Sequence, residues 1–297
     1  MVADPHAASD REASLVEQFR PLGPGAAAWY VTSDLRGMLL AIRALVLQVG
    51  HPMVGAAVYE HSVYKTDPYG RLWRSITSLL RQVIGGYRTA EEGERLMRLH
   101  TEIKGVDAQG RRYHALDPGA FLWVHATMFE AWRWFLRECG PGLTDAQEQQ
   151  LFDEWRRVGG LIGVKPRLLP DTIAEFDAYW DAMLPTLEDG PVVQDLLYIP
   201  PNRPPYVPMP QPVFNALTKP LLTLQRSFVA ETLPPELAER FGLFRSAKTA
   251  KHTRGLITFA RALGWIPPLL RRSPFATLAM RRTSRDPRTI PEPIAYP

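Results

Sequence analysis

The stretch ALVLQVGHPMVGAAVYEHS, residues 44–62, decides how the chain is read. A strongly apolar run ends at Gly50-His51-Pro52 and restarts in the small residues Gly55, Ala56 and Ala57 before reaching a second histidine, His61. The apolar spacing on both sides is that of a helix. Gly50 is a helix stop, and Pro52, which lacks an N–H, suits the first turn of the next helix. A helix corner with a small-residue face accepts either another helix or a flat ligand, and the histidine at the corner accompanies both.

Working outward, the period stays helical. Residues 34–49 form one helix capped by Ser33 or Asp34, and the helix after Pro52 runs to about residue 61. Further helices are predicted over 68–84, ended by Gly85-Gly86, over 89–104, and from Asp117-Pro118 to Gly140. Thr144 caps a helix to about residue 158, and another spans 172–187. Seven prolines in 199–212 exclude helix and central strand and predict an extended connector. Helices follow near 213–231, 235–240 and 246–263, and the Arg- and Pro-rich end reads as irregular. There is no convincing strand pair. The expectation is an all-α fold: a polar segment 1–20, a helical core 21–198, the connector 199–212, C-terminal helices 213–270 packed on the core, and a tail 271–297.

The chain has 297 residues, 45% hydrophobic and 22% charged, within reach of one large or two small domains. No apolar run reaches 18 residues, so no membrane-spanning helix is expected. The polar N-terminus lacks a secretory pattern, and a single cysteine, Cys139, excludes an intrachain disulfide and cysteine-rich zinc sites. Both suggest the cytoplasm. The net charge of +4 is uneven: residues 245–288 hold eleven Lys/Arg against one acid, Asp286, leaving the rest net −6. That segment is either a solvated basic face or a surface for nucleic acid or anionic membrane.

Among seven histidines, His125 stands out, mid-helix in FLWVHATMF with Phe121, Leu122, Met128 and Phe129 on its side. A histidine there is either a core residue bonded to a backbone carbonyl or an axial ligand to haem iron. A second feature is DPYGRLWRSITSLLRQ, in which Arg71, Arg74, Ser75, Ser78 and Gln82 form one polar stripe without a nearby acid. Such a face is solvated, or holds carboxylates such as haem propionates. There is no H-E-x-x-H, E-x-x-H, G-x-G-x-x-G or G-x-S-x-G, which removes support for zincin, di-iron, dinucleotide and serine-hydrolase chemistry. FLRECGPG around Cys139 is a weak match to a thiolate-haem loop.

The motifs RALVLQVGHPMVGAAVYEHS (43–62), DPYGRLWRSITSLL (67–80), LHTEIKGVDAQGRRYHALDPGAFLWVHATM (99–128), LLPDTIAEFDAYWDAML (168–184) and LPPELAERFGL (233–243) occur in an order that resembles one family. It is the oxygenase family that includes bacterial rubber oxygenase and the fungal prenyl-chain-cleaving oxygenase of mycophenolic acid biosynthesis. The resemblance covers roughly residues 22–265. It implies an all-α, globin-like core around haem b, with one proximal histidine and a distal Arg-x-x-basic-hydroxyl motif. His125 is the expected iron ligand, with Val124, Thr127, Met128, His51 and Arg71 lining the haem. His51 and then His100 are the competing ligands. Arg71, Arg74 and Ser75 match the distal motif. Arg74 stands where the rubber oxygenase has lysine; arginine stays protonated and cannot ligate iron, so the distal position is expected to be open or water-ligated.

The resemblance thus implies a haem-dependent oxygenase or oxidase using O2 and an electron donor on an apolar intracellular metabolite, with no specific nucleic-acid partner. Two other readings remain: a non-catalytic haem carrier or sensor, and a helical binding protein led by its basic C-terminal region.

Overall fold

The computed structural model describes residues 18–200 and 202–294. His6 and most of the polar segment 1–20 lie outside the described residues. Fourteen α-helices, five 3-10 helices and one short hairpin are present among the described residues. In order they are α1 (Ala27–Ser33), α2 (Ala41–Gly50), α3 (Pro52–His61), α4 (Pro68–Ile84) and α5 (Thr89–His100), then strands β1 (Lys104–Val106) and β2 (Arg112–His114). There follow α6 (Pro118–Glu138), α7 (Asp145–Ile162), α8 (Ile173–Met183), α9 (Pro191–Tyr198), α10 (Gln211–Thr232), α11 (Pro235–Arg240), α12 (Ala247–Ala262), α13 (Pro268–Arg271) and α14 (Pro274–Ser284). The fold is predominantly α, as expected.

The helix α6 is the central element. Asp117 caps it by accepting from the Gly119 and Ala120 amides, and Pro118 occupies its first turn. Its buried residues include Trp123, Phe129, Trp132 and Phe135. They build an aromatic core with neighbours: Trp123 on Trp180 at 4.9 Å and Phe129 on Phe176 at 4.7 Å. Full burial of each such ring stabilises by roughly 1.5–3 kcal/mol. The helix α7 begins with a capping box at Thr144 and ends at Gly163, whose φ of 97° suits glycine.

The corner at Gly50-His51-Pro52 is real: the segments before and after it meet at 103°. A Cβ at Gly55 would lie 2.5 Å from the Val49 carbonyl, and one at Gly50 would lie 3.1 Å from the Phe241 ring. The glycines therefore serve the turn and helix packing. No single helix among the described residues is long and apolar enough to cross a membrane; this bent pair passes by length and composition only.

Four expectations need correction. The helix over 34–49 opens as a 3-10 turn, Leu35–Leu40, because Asp34 caps it by taking the Arg36 amide. The helix from 89 stops at His100, and the chain then pairs Lys104 with His114 in a hairpin turned at Asp107–Gly110. The helix from Thr144 runs on to Ile162. The tail is not irregular throughout: Pro274–Ser284 is helical and packs on α4 and α1, with the Thr283 hydroxyl donating to the Ile84 carbonyl. The late chain is also tied to the front by a buried cluster, in which Asp34 receives both Arg36 and Arg271, at 2.7 and 2.6 Å.

Candidate functional site

The helices α4 and α5 are joined by a short link and lie side by side. The buried carboxylate of Glu92 fixes their register, accepting from the Ser78 hydroxyl at 2.6 Å and from Arg95. Arg71 precedes Ser78 by seven residues, and His100 follows Glu92 by eight. At a rise of about 1.5 Å per residue, antiparallel helices bring the two to the same level. A Cβ at Gly93 would lie 2.6 Å from the Leu161 carbonyl, so the first half of α5 sits backbone-to-backbone on α7.

His100 is half-buried at the end of α5, its ring edge-on to Phe121 of α6 at 6.4 Å. Its Nδ1 is 2.8 Å from the Leu96 carbonyl. A carbonyl only accepts, so Nδ1 carries the proton and Nε2 the lone pair. Burial lowers its pKa, the Leu96 bond opposes this, and the nearby Arg71 and Arg95 charges lower it further. The ring is thus held neutral, and its Nε2 has no hydrogen-bond partner among the described residues.

Arg71 is turned inward. Its Nε donates to the Ser62 hydroxyl at 3.3 Å, and its Nη1 donates to Ser75. The Ser75 hydroxyl donates in turn to the Arg71 carbonyl at 3.0 Å. No carboxylate pairs with Arg71 among the described residues. Desolvation, and then the neighbouring Arg74 charge, push its pKa down. An anionic ligand would relieve both.

The apolar helix α3 faces this region with only Ala57 buried among its ten residues; the segment from His51 to Ala56 is half-buried. His51, at its start, has a buried Nδ1 with no partner among the described residues. Burial lowers its pKa, and Asp117 at the start of α6 raises it. His51 and His100 therefore both flank the N-terminal end of α6, with Val124 and Met128 half-buried on the helix side that carries Phe121.

Three expected site residues are not brought here. His125 is 2% exposed, its ring stacks on Trp155 at 4.9 Å, and its Nε2 donates to the Trp155 carbonyl at 2.9 Å. Its lone pair is on Nδ1, sealed in the core. A Cβ at Gly159 would lie 2.6 Å from its Nε2, so no macrocycle fits on that side. Burial depresses its pKa to about 4. It is the carbonyl-bonded core histidine, and the geometry does not offer it as an iron ligand. Arg74 points to solvent, 56% exposed, and pairs with Asp67 at 3.2 Å, so the stripe does have an acid. Thr127 is buried against α2, taking a hydrogen bond from Gln48 at 2.9 Å and donating to the Val124 carbonyl. Cys139 is buried with its thiol pushed up to about 11, which does not suit a thiolate ligand.

The sequence profile of the family described as ER-bound oxygenase mpaB/B'/rubber oxygenase, catalytic domain, matches residues 29–262. The chain belongs to that family. Two uncharacterized proteins, from Mycobacterium bovis and Mycobacterium tuberculosis, are each 29% identical over 174 residues. The match covers 54% of this chain and 65% of each relative, just under two thirds of their length. The solved structure of latex clearing protein LCP in the closed state shares the fold, with a TM-score of 0.50 and 16% identity over 94% of this chain and 74% of that one.

In this oxygenase-family chain, one cluster escaped the sequence reading. Tyr113 is buried, donates to Glu60, and meets His61 Nε2 at 3.1 Å. Gly105 has no side chain because Tyr113 fills the space where a Cβ would stand. The signal was present in the glycine opposite a tyrosine within the motif of residues 99–128, but only the hairpin pairing gives it meaning.

Proposed function

We propose that this chain is a haem b-dependent oxygenase for an apolar small molecule, and that His100, in place of His125, would hold the haem iron. The observation that carries this is a neutral half-buried histidine whose Nε2 has no hydrogen-bond partner among the described residues and stands level with an inward arginine that no carboxylate pairs with there. Haem b held between α3, α4, α5 and α6 would supply the activation of dioxygen. The Leu96 carbonyl orients the His100 ring, as carbonyls do behind ligating histidines. Arg71, steadied by Ser62 and Ser75, holds an anionic group such as a propionate, or negative charge developing near it. The Ser75 hydroxyl keeps Arg71 in place. The half-open apolar face of α3, with Val124, Phe121 and Met128, excludes water and accepts an apolar substrate. His51, with its orphaned Nδ1, lines the same region and is the second candidate to contact the cofactor. Localisation in the cytoplasm and an external electron donor belong to this proposal.

The test is an absorption spectrum of the purified chain as isolated and after haem addition, with a pyridine haemochrome assay. Stoichiometric haem b, with oxygen consumption on turnover, is expected. A stoichiometric Soret band without oxygen consumption would favour a haem carrier. No band after reconstitution would sink the proposal.

A further inference from the structure

The basic segment noted in the sequence has no part in the site above, and the structure gives it an unusual companion. The turn and short helix between α12 and α14 leave Trp265 93% exposed and Leu269 and Leu270 64% and 72% exposed. Apolar side chains of this size do not usually stand free together on a monomer. In α14, Ala276 and Thr283 are the buried residues. At 100° per residue, Leu278, Arg281 and Arg285 fall on the opposite side and Phe275 and Arg282 on its flank, and all five are exposed. The outward face of α14 is thus apolar at its start and cationic at its end. Phe275 also meets Trp73, itself exposed on α4, at 4.8 Å. Arg281, Arg282 and Arg285 form no ion pair among the described residues, whereas Arg288 beyond them is neutralised by Asp286.

We propose that this surface docks on an anionic phospholipid bilayer, with Trp265, Leu269 and Leu270 entering the headgroup boundary and Arg281, Arg282 and Arg285 meeting lipid phosphates. Charge complementarity selects this occupant. Of the eleven cations in 245–288, Arg245, Arg261, Arg271 and Arg288 are paired with acids, but Arg281, Arg282 and Arg285 are exposed and form no ion pair among the described residues, so a second copy presenting the same face would be repelled. A nucleic acid would engage the arginines and leave the exposed leucines in water. An interfacial lipid surface satisfies both at once, the tryptophan at the boundary included. The inference does not depend on haem.

The experiment is co-sedimentation of the full chain with vesicles of phosphatidylcholine containing about one quarter phosphatidylglycerol, against pure phosphatidylcholine. Binding is expected to the anionic vesicles only and to weaken with added salt. The Trp265→Ser/Leu269→Ser/Leu270→Ser variant and, separately, the Arg281→Gln/Arg282→Gln/Arg285→Gln variant should each lower the partition coefficient by about tenfold or more. All six positions are exposed, and circular dichroism checks that each variant folds. Equal binding to neutral vesicles, or binding unchanged in either variant, would overturn the proposal. So would a dimer in light scattering that the serine variant dissolves, or capture by duplex DNA where vesicles fail.

Discussion

Replacing His100 and His125 separately by alanine separates ligation from packing. His100 makes one hydrogen bond, to a carbonyl of its own last helical turn, and is half-buried. Losing that bond costs about 1 kcal/mol at most, partly offset by the better helix propensity of alanine. His125 is fully enclosed, stacked on Trp155 and bonded to its carbonyl. Its truncation removes a hydrogen bond worth about 1 kcal/mol and leaves a cavity, for a total of about 3 kcal/mol. With an unfolding entropy of about 2.1 cal/mol/K per residue, a chain of 297 residues would lose about 5 °C in Tm at His125 and under 2 °C at His100. Haem titration followed at the Soret band gives the second axis. His100→Ala should lose the native spectrum, with partial rescue by added imidazole, while His125→Ala should bind haem with an unchanged spectrum. The reverse pattern, His125→Ala stable but spectrally altered and His100→Ala spectrally native, would refute the site drawn above. Loss in neither variant would move the assignment to His51.

Three further outcomes follow from the geometry. Stability should fall as the pH drops from about 6.5 towards 4, because His125 stays neutral in the fold to about 4 while its unfolded counterpart takes a proton near 6.5. The sign is fixed by a depressed folded pKa, the loss approaches about 3 kcal/mol, and urea midpoints of the wild type and His125→Gln across this range should converge. Arg71→Ala should weaken haem or anion binding by about tenfold, whereas Arg74→Ala should leave it unchanged, since Arg74 is exposed and paired with Asp67. Equal effects in equilibrium titrations would show that Arg71 does not hold the ligand. Glu154→Ala should destabilise by about 2–4 kcal/mol in denaturant unfolding, because Glu154 accepts the Ala27 and Ala28 amides at 3.1 and 2.8 Å and caps α1 from across the core.

The sequence by itself determined the helical class, most helix limits and the family, because helical period, caps and glycine or proline stops act over a few residues. It also determined that Arg71 and Ser75 share a face, since four residues make about one turn. It left open what His125 touches. An apolar helix side looks the same whether it meets Trp155 or a cofactor, and only the approach of α7, allowed by Gly159, closed that side. The tertiary structure alone decided that His100 belongs with Arg71. That pairing depends on the α4–α5 register set by Glu92, a contact between residues fourteen positions apart. It alone turned Arg74 outward, for a solvent face and an inner face differ by what packs beyond them. The tail was misread for the same reason: α14 is held by Ile84 and its packing on α1 and α4, which no local pattern in an Arg- and Pro-rich segment announces. Local rules fix where a chain turns; which of its faces are buried is settled by partners distant in sequence.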